Sequence, residues 1–141
     1  MDTTDQKLLS LLRENARAST SALARDLGLS RSTVQDRINR LESRGIVAGY
    51  TVRLGEETEK RRVTAHVMVS VSPKAAPDVT NALRKMDNMR SLCAISGEYD
   101  MIAILEAGST EEVDTMLDAI GALDGVTRTN SSIVLSTKFQ R

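Results

Sequence analysis

The spacing of the apolar residues changes once along this chain, and that change limits the fold more than any single motif does. As far as Gly45 they recur every three or four positions. The run "VTAHVMVSVS" then sets Val63, Ala65, Val67, Val69 and Val71 against Thr64, His66, Met68, Ser70 and Ser72. The first spacing is that of helices burying one stripe, and the second is that of a strand burying one face. A helical part followed by a part built on a sheet is therefore expected.

In the first part, Leu8, Leu9 and Leu12 predict a helix from about Asp5. Ser19 is suited to cap a second, short helix with Leu23, Ala24 and Leu27 inward, and Gly28 can take the left-handed turn that ends it. Ser30 is placed to cap a third, in which Val34, Ile38 and Leu41 share one side and Thr33, Arg37, Arg40 and Arg44 run along a flank until Gly45. Two short helices joined by "LGLS" and followed by a polar-faced third have the shape of a helix-turn-helix, winged-helix-like domain, although a generic three-helix bundle shows the same apolar spacing.

Charge sharpens the choice. The 141 residues balance to a net charge of zero, yet Arg31, Arg37, Arg40 and Arg44 fall within the third helix. Residues 1–50 carry about +2 and residues 63–141 about −3, so the two halves suit different partners. Small hydrogen-bonding residues at the helix start, where base edges are read, and basic ones along its flank, where phosphates lie, point to double-stranded DNA. The candidates are Arg31, Ser32, Thr33, Gln35, Asp36, Arg37, Arg40 and Arg44, with Gln35 suited to adenine and Arg40 and Arg44 to phosphate. Arg37 lies closest to the apolar stripe and has the alternative of pairing within its own domain.

After Gly45, "IVAGYTVRL" is short, apolar and β-branched, a predicted strand. "GEETEKRR", residues 55–62, has six charged residues and reads as a solvated hinge, giving domains of 1–50 and 63–141 joined by 51–62. Beyond the strand from Val63, "PKAAPDVTNALRKM" has Val79, Leu83 and Met86 at helical spacing. "LCAISGEYDMIAILEA" reads as two strands turned at "GEYD", "STEEVDTMLDAIGAL" as a helix capped by Ser109 or Thr110, and "VTRTNSSIVLSTKF" as a closing strand. The whole is α+β, its second half a ferredoxin-like βαββαβ unit.

That unit serves enzymes, RNA binders and sensors, so other features must decide. The only aromatic residues are Tyr50, Tyr99 and Phe139, too few to stack bases on an open sheet as an RNA binder would. No nucleophile with a base, no carboxylate pair and no metal cluster can be assembled, so no catalytic or metal-ligating residue, and no cofactor, is expected. His66 is the single histidine, and Cys93, the single cysteine, is expected as a small buried apolar residue. The acidic start and the lack of an apolar run near membrane-spanning length give the expectation of a cytoplasmic protein with no membrane partner.

Together, "SALARDLGLSRSTVQDRINRLESRGIVAGYTV", a short hinge, "SGEYDMIAIL" and the closing "SSIVLSTKF" resemble, over essentially the whole chain, the leucine-responsive and asparagine regulator (Lrp/AsnC) family of transcription factors. Ala22 stands where that family often has an acid. The resemblance implies a DNA-binding regulator that forms homodimers and often tetramers or octamers, with a small effector, commonly an amino acid, bound between subunits. It implies that "IVAGYTVRL" helps join two subunits. It places the effector near Gly97, Glu98, Tyr99 and Asp100 and near Thr129, Ser131 and Ser132, of which the two serines alternate in facing. Gly97 and Asp100 have the alternative of shaping the turn alone. A DNA-binding assembly protein that needs no ligand is the other reading.

Overall fold

The computed structural model describes residues 1–59 and 61–140. The chain divides into two compact units, Met1–Arg53 and Leu54–Arg141.

In the first unit, helix α1 is Thr3–Glu14, α2 is Thr20–Leu27 and α3 is Arg31–Ser43. Helix α1 starts before the expected Asp5, because Asp2 accepts from the Asp5 N–H while the Asp5 carboxylate accepts from the Asp2 N–H, a reciprocal cap. Ser19 and Ser30 cap α2 and α3 through the Ala22 and Thr33 N–H groups, and Gly28 closes α2 in the left-handed region at φ 66°. Leu8, Leu12, Leu23, Ala24, Val34 and Leu41 are buried together, and Ile38 packs against them. Each helix is too short to persist alone, so this shared core is what holds α3 in place.

One expectation for the connection fails. "IVAGYTVRL" is not a strand: residues 46–55 have no regular structure, because among the described residues no segment offers them a ladder partner. The hinge holds one helical turn, α4, Glu56–Glu59.

In the second unit, strand β1 is Val63–Val71, β2 is Met89–Ala94, β3 is Met101–Ala107 and β4 is Val126–Ile133. Helix α5 is Ala76–Arg84, entered through a 3-10 turn at Pro73–Ala75, and α6 is Thr110–Gly121, capped by Ser109. The sheet runs β2-β3-β1-β4, antiparallel throughout, which is the ferredoxin-like arrangement. Alternation decides its faces. Ala65, Val67 and Val69 of β1 and Met101, Ala103, Leu105 and Ala107 of β3 form a buried core with Val79 and Leu83 of α5 and Val113 and Ile120 of α6.

Helices α5 and α6 both pack on that face and leave the opposite one uncovered by either. There His66 sits opposite Ile104 and Ser132, while Met68 sits opposite Ile102 and Asn130. Cys93, expected to be buried, is exposed, because its register opposite Ile102 puts it on this open face of an edge strand. The closing strand also ends sooner than expected, at Ile133, leaving Leu135 94% exposed beyond it. No helix among the described residues is long and apolar enough to cross a membrane.

Candidate functional site

Helix α3 presents its candidates as its apolar stripe requires. With Val34 and Leu41 buried, Arg31, Ser32, Gln35, Asp36, Asn39, Arg40 and Arg44 are exposed, and Thr33 and Arg37 are half-buried. At the start of the helix the Ser30 hydroxyl lies 2.7 Å from that of Thr33 and 3.1 Å from that of Ser32, a cluster that orients three short polar groups together. Gln35 is held at both ends. Its amide donates to Asn39 Oδ1 at 2.9 Å, and its Oε1 accepts from the Thr20 hydroxyl of α2 at 3.3 Å. Thr20 and Asn39 were not among the expected residues. The four-residue step from Gln35 to Asn39 is a sequence signal for such a pair, but only packing of α2 on α3 brings in Thr20.

The arginines separate into two kinds. The side chains of Arg31, Arg40 and Arg44 make no hydrogen bond or ion pair among the described residues, so their charge faces outward. Arg37 pairs within its own unit, the alternative its position allowed. Its Nη1 donates to Asp5 Oδ1 at 2.7 Å and to Asp2 Oδ2 at 2.8 Å. That contact holds both carboxyls below the usual carboxylate range, with the cap N–H groups of α1 adding to the effect, and raises the guanidinium in turn.

In the second unit, the turn at Gly97–Asp100 is fastened to two strands. The Asp100 N–H donates to the Val69 carbonyl at 3.0 Å, and Asp100 Oδ2 accepts from the Val71 N–H at 2.9 Å. Asp100 thus extends the β1–β3 ladder one residue before the start of β3, as far as Val71 at the end of β1. Gly97 adopts φ 118°, which a side chain would oppose. From β4, Arg128 lies 4.6 Å from the centre of the Tyr99 ring and donates to Glu98 Oε1 at 3.0 Å. Arg128 was not expected at this site, and only the register of β4 on β1 reveals it.

Register also separates the expected set. Thr129 and Ser131 sit opposite Val69 and Val67, on the helix side of the sheet, whereas Ser132 sits opposite His66 on the open face. Glu98, Tyr99 and Asp100 gather with Arg128 at one end of β4. Ser132 lies four residues along the same strand, about 13 Å away. Within one chain, then, the seven residues do not converge on one pocket. No group of three or more His, Cys, Asp or Glu side chains among the described residues could hold a metal ion.

Comparison with known proteins supplies the context for these two surfaces. Residues 1–42 match the AsnC-type helix-turn-helix domain, and residues 64–141 match the Lrp/AsnC ligand binding domain. The HTH-type transcriptional regulator LysM of Sulfurisphaera tokodaii is 30% identical, the alignment covering 99% of this chain and 98% of LysM. The transcriptional regulator NMB0573 of Neisseria meningitidis, solved as a complex with L-Met, superposes with a TM-score of 0.88 at 29% identity, covering 99% of this chain and 93% of that one. AsnC of Escherichia coli, at 22% identity, shares the fold with a TM-score of 0.89 over 100% of this chain and 96% of its own. These relatives are regulators, not enzymes.

Proposed function

The chain belongs to the Lrp/AsnC family of transcriptional regulators, and on that premise we propose that it reads DNA through α3, assembles at least as a homodimer, and responds to an amino acid. The observation that carries the DNA assignment is the set of outward charges, unpaired among the described residues, on α3 and at Arg44, its C-cap. Arg31, Arg40 and Arg44 border a face of Ser32, Thr33, Gln35 and Asp36 in a chain whose net charge is zero. The arginines supply phosphate contact on any sequence, and Gln35, fixed by Thr20 and Asn39, supplies base readout. Residues 1–50 are assigned to DNA, 51–62 to the connection, and 63–141 to effector binding and assembly, in the cytoplasm.

Two apolar surfaces support assembly. The open sheet face presents Met68, Ile102 and Ile104 without a covering helix, and residues 46–54 expose Ile46, Tyr50, Val52 and Leu54. A second copy would cover both, and pairing between two such segments would supply the ladder that "IVAGYTVRL" lacks here. A C2 dimer presents two α3 helices to half-sites about one turn of DNA apart. Because a C2 contact is closed, tetramers and octamers would need a further interface between dimers.

Support for an amino-acid effector comes from the ligand-binding match and from the L-Met carried by the Neisseria relative. The polar groups of residues 97–100, together with Thr129, Ser131 and Ser132, would converge only across a subunit interface. One observation favours the second reading, a DNA-binding assembly protein without a ligand: Asp100 already spends a carboxylate oxygen on the Val71 N–H.

The DNA assignment is tested by salt titration of duplex binding. Arg40→Ala is expected to weaken binding to every sequence and to lower the salt slope by roughly one unit. Gln35→Ala is expected to change sequence preference with the slope kept. Equal losses on operator and random DNA for Gln35→Ala would remove its role in readout.

A further inference from the structure

Arg37 stands on the helix assigned to DNA, yet its charge is spent elsewhere. Two carboxylates, Asp2 and Asp5 of α1, converge on the same guanidinium nitrogen at 2.8 and 2.7 Å. The Arg37 side chain is only 18% exposed, and its Nε is buried without a hydrogen-bond partner among the described residues; the two contacts draw the group down toward α1 rather than over the surface. It lines one surface depression with Thr33, Asp36, Asn39 and Arg40, so a side chain released there would emerge among the residues assigned to DNA. Two carboxylates against one guanidinium also leave the cluster net negative, and Asp2 remains 54% exposed.

We infer that Asp2 and Asp5 restrain DNA binding by withholding Arg37 from phosphate, so that the N-terminus of α1 sets how tightly the protein holds DNA of any sequence. The inference rests on the assignment of α3 to DNA. Its physical basis is that phosphate contacts supply sequence-independent affinity, and that one more of them per protomer strengthens every non-specific complex alike. A regulator that must leave random DNA to find its site gains from having one contact fewer. The reciprocal cap serves this role as well as starting α1. Each acid is held in place by the other's backbone N–H, so the pair meets Arg37 already oriented.

The test is binding of the full-length protein to a random-sequence duplex over a range of salt concentrations, with circular dichroism to check folding. Asparagine caps a helix about as well as aspartate, so Asp2→Asn with Asp5→Asn keeps the start of α1 while removing the charges. The double variant is expected to bind random duplex roughly fivefold tighter at 0.15 M salt, with a slope about one unit steeper per protomer. Adding Arg37→Gln to it is expected to return both values to those of the parent protein. An unchanged slope in the double variant overturns the inference. So does a gain that survives Arg37→Gln, because loss of negative charge alone would then explain it. Arg40→Ala separates the two levels. If it leaves the slope of the parent protein unchanged, the assignment of α3 has failed. If it lowers the slope while the double variant does not raise it, only the restraint has. Should the double variant unfold, Asp2→Asn alone leaves the more buried Asp5 in place, and a smaller rise in affinity is required of it.

Discussion

Ser30→Ala connects a single hydroxyl to DNA reading. Ser30 Oγ accepts from the Thr33 N–H at 3.2 Å and shares a hydrogen bond of 2.7 Å with the Thr33 hydroxyl. Losing a serine cap costs about 1 kcal/mol, and Ser30 is exposed, so water replaces part of the bond and no buried penalty is added. One kcal/mol corresponds to about a fivefold larger open population of the first turn of α3, which carries Ser32 and Thr33. Amide hydrogen exchange at Thr33 and Val34 reads that population directly, and both amides are expected to exchange about fivefold faster while the amides of Leu83 and Leu105 keep their rates. Operator affinity is expected to fall by up to the same factor, because the turn must order before it binds. Two substitutions isolate the cause. Ser30→Gly costs only a few tenths of a kcal/mol. Ser30→Asp caps as well and suits the helix dipole, but its charge opposes phosphate. Ser30→Asp is thus expected to restore slow exchange without restoring DNA affinity. Unchanged exchange at Thr33 and Val34 in Ser30→Ala would refute the reasoning.

Two further outcomes are expected. The Arg37 contact holds Asp2 and Asp5 below the ordinary carboxylate value, so its contribution is fully present above about pH 4 and is lost as pH falls through the lowered values. Arg37→Gln is expected to raise the Asp5 carboxyl toward its ordinary value, read by NMR titration, and to begin acid unfolding of the first unit at a higher pH. On the open sheet face, Ile104→Arg is expected to weaken the dimer at least a hundredfold, about 3 kcal/mol, by placing an unpaired charge where two faces meet. Sedimentation velocity checks this, and a dimer of unchanged stability would move the interface elsewhere.

Much of the architecture was legible because local chemistry and tertiary packing agree in this chain. Ser19, Gly28, Ser30 and Ser109 cap or close the helices expected of them, and the alternation from Val63 decides which face of β1 is buried. The failures share a cause, which is that pairing and register are not local. "IVAGYTVRL" has the composition of a strand but has no partner strand among the described residues. Cys93 has the character of a core residue but falls on the outward side of an edge strand. The same limit holds at the candidate sites. The exposure of α3 follows from its stripe, so its polar face could be read in advance, whereas Arg128 reaches Tyr99 only through the pairing of β4 with β1. The divergence of Ser131 and Ser132 follows from alternation, but the face each occupies requires the register.

The central claim is that a ligand in the second unit alters DNA binding by the first, and its most direct test is the operator affinity of the full chain measured with each of the twenty amino acids at millimolar concentration. At least one is expected to change the affinity by about five- to 150-fold, the usual range of coupling between two sites. Tight, salt-sensitive DNA binding that stays the same in the presence of all twenty would contradict it.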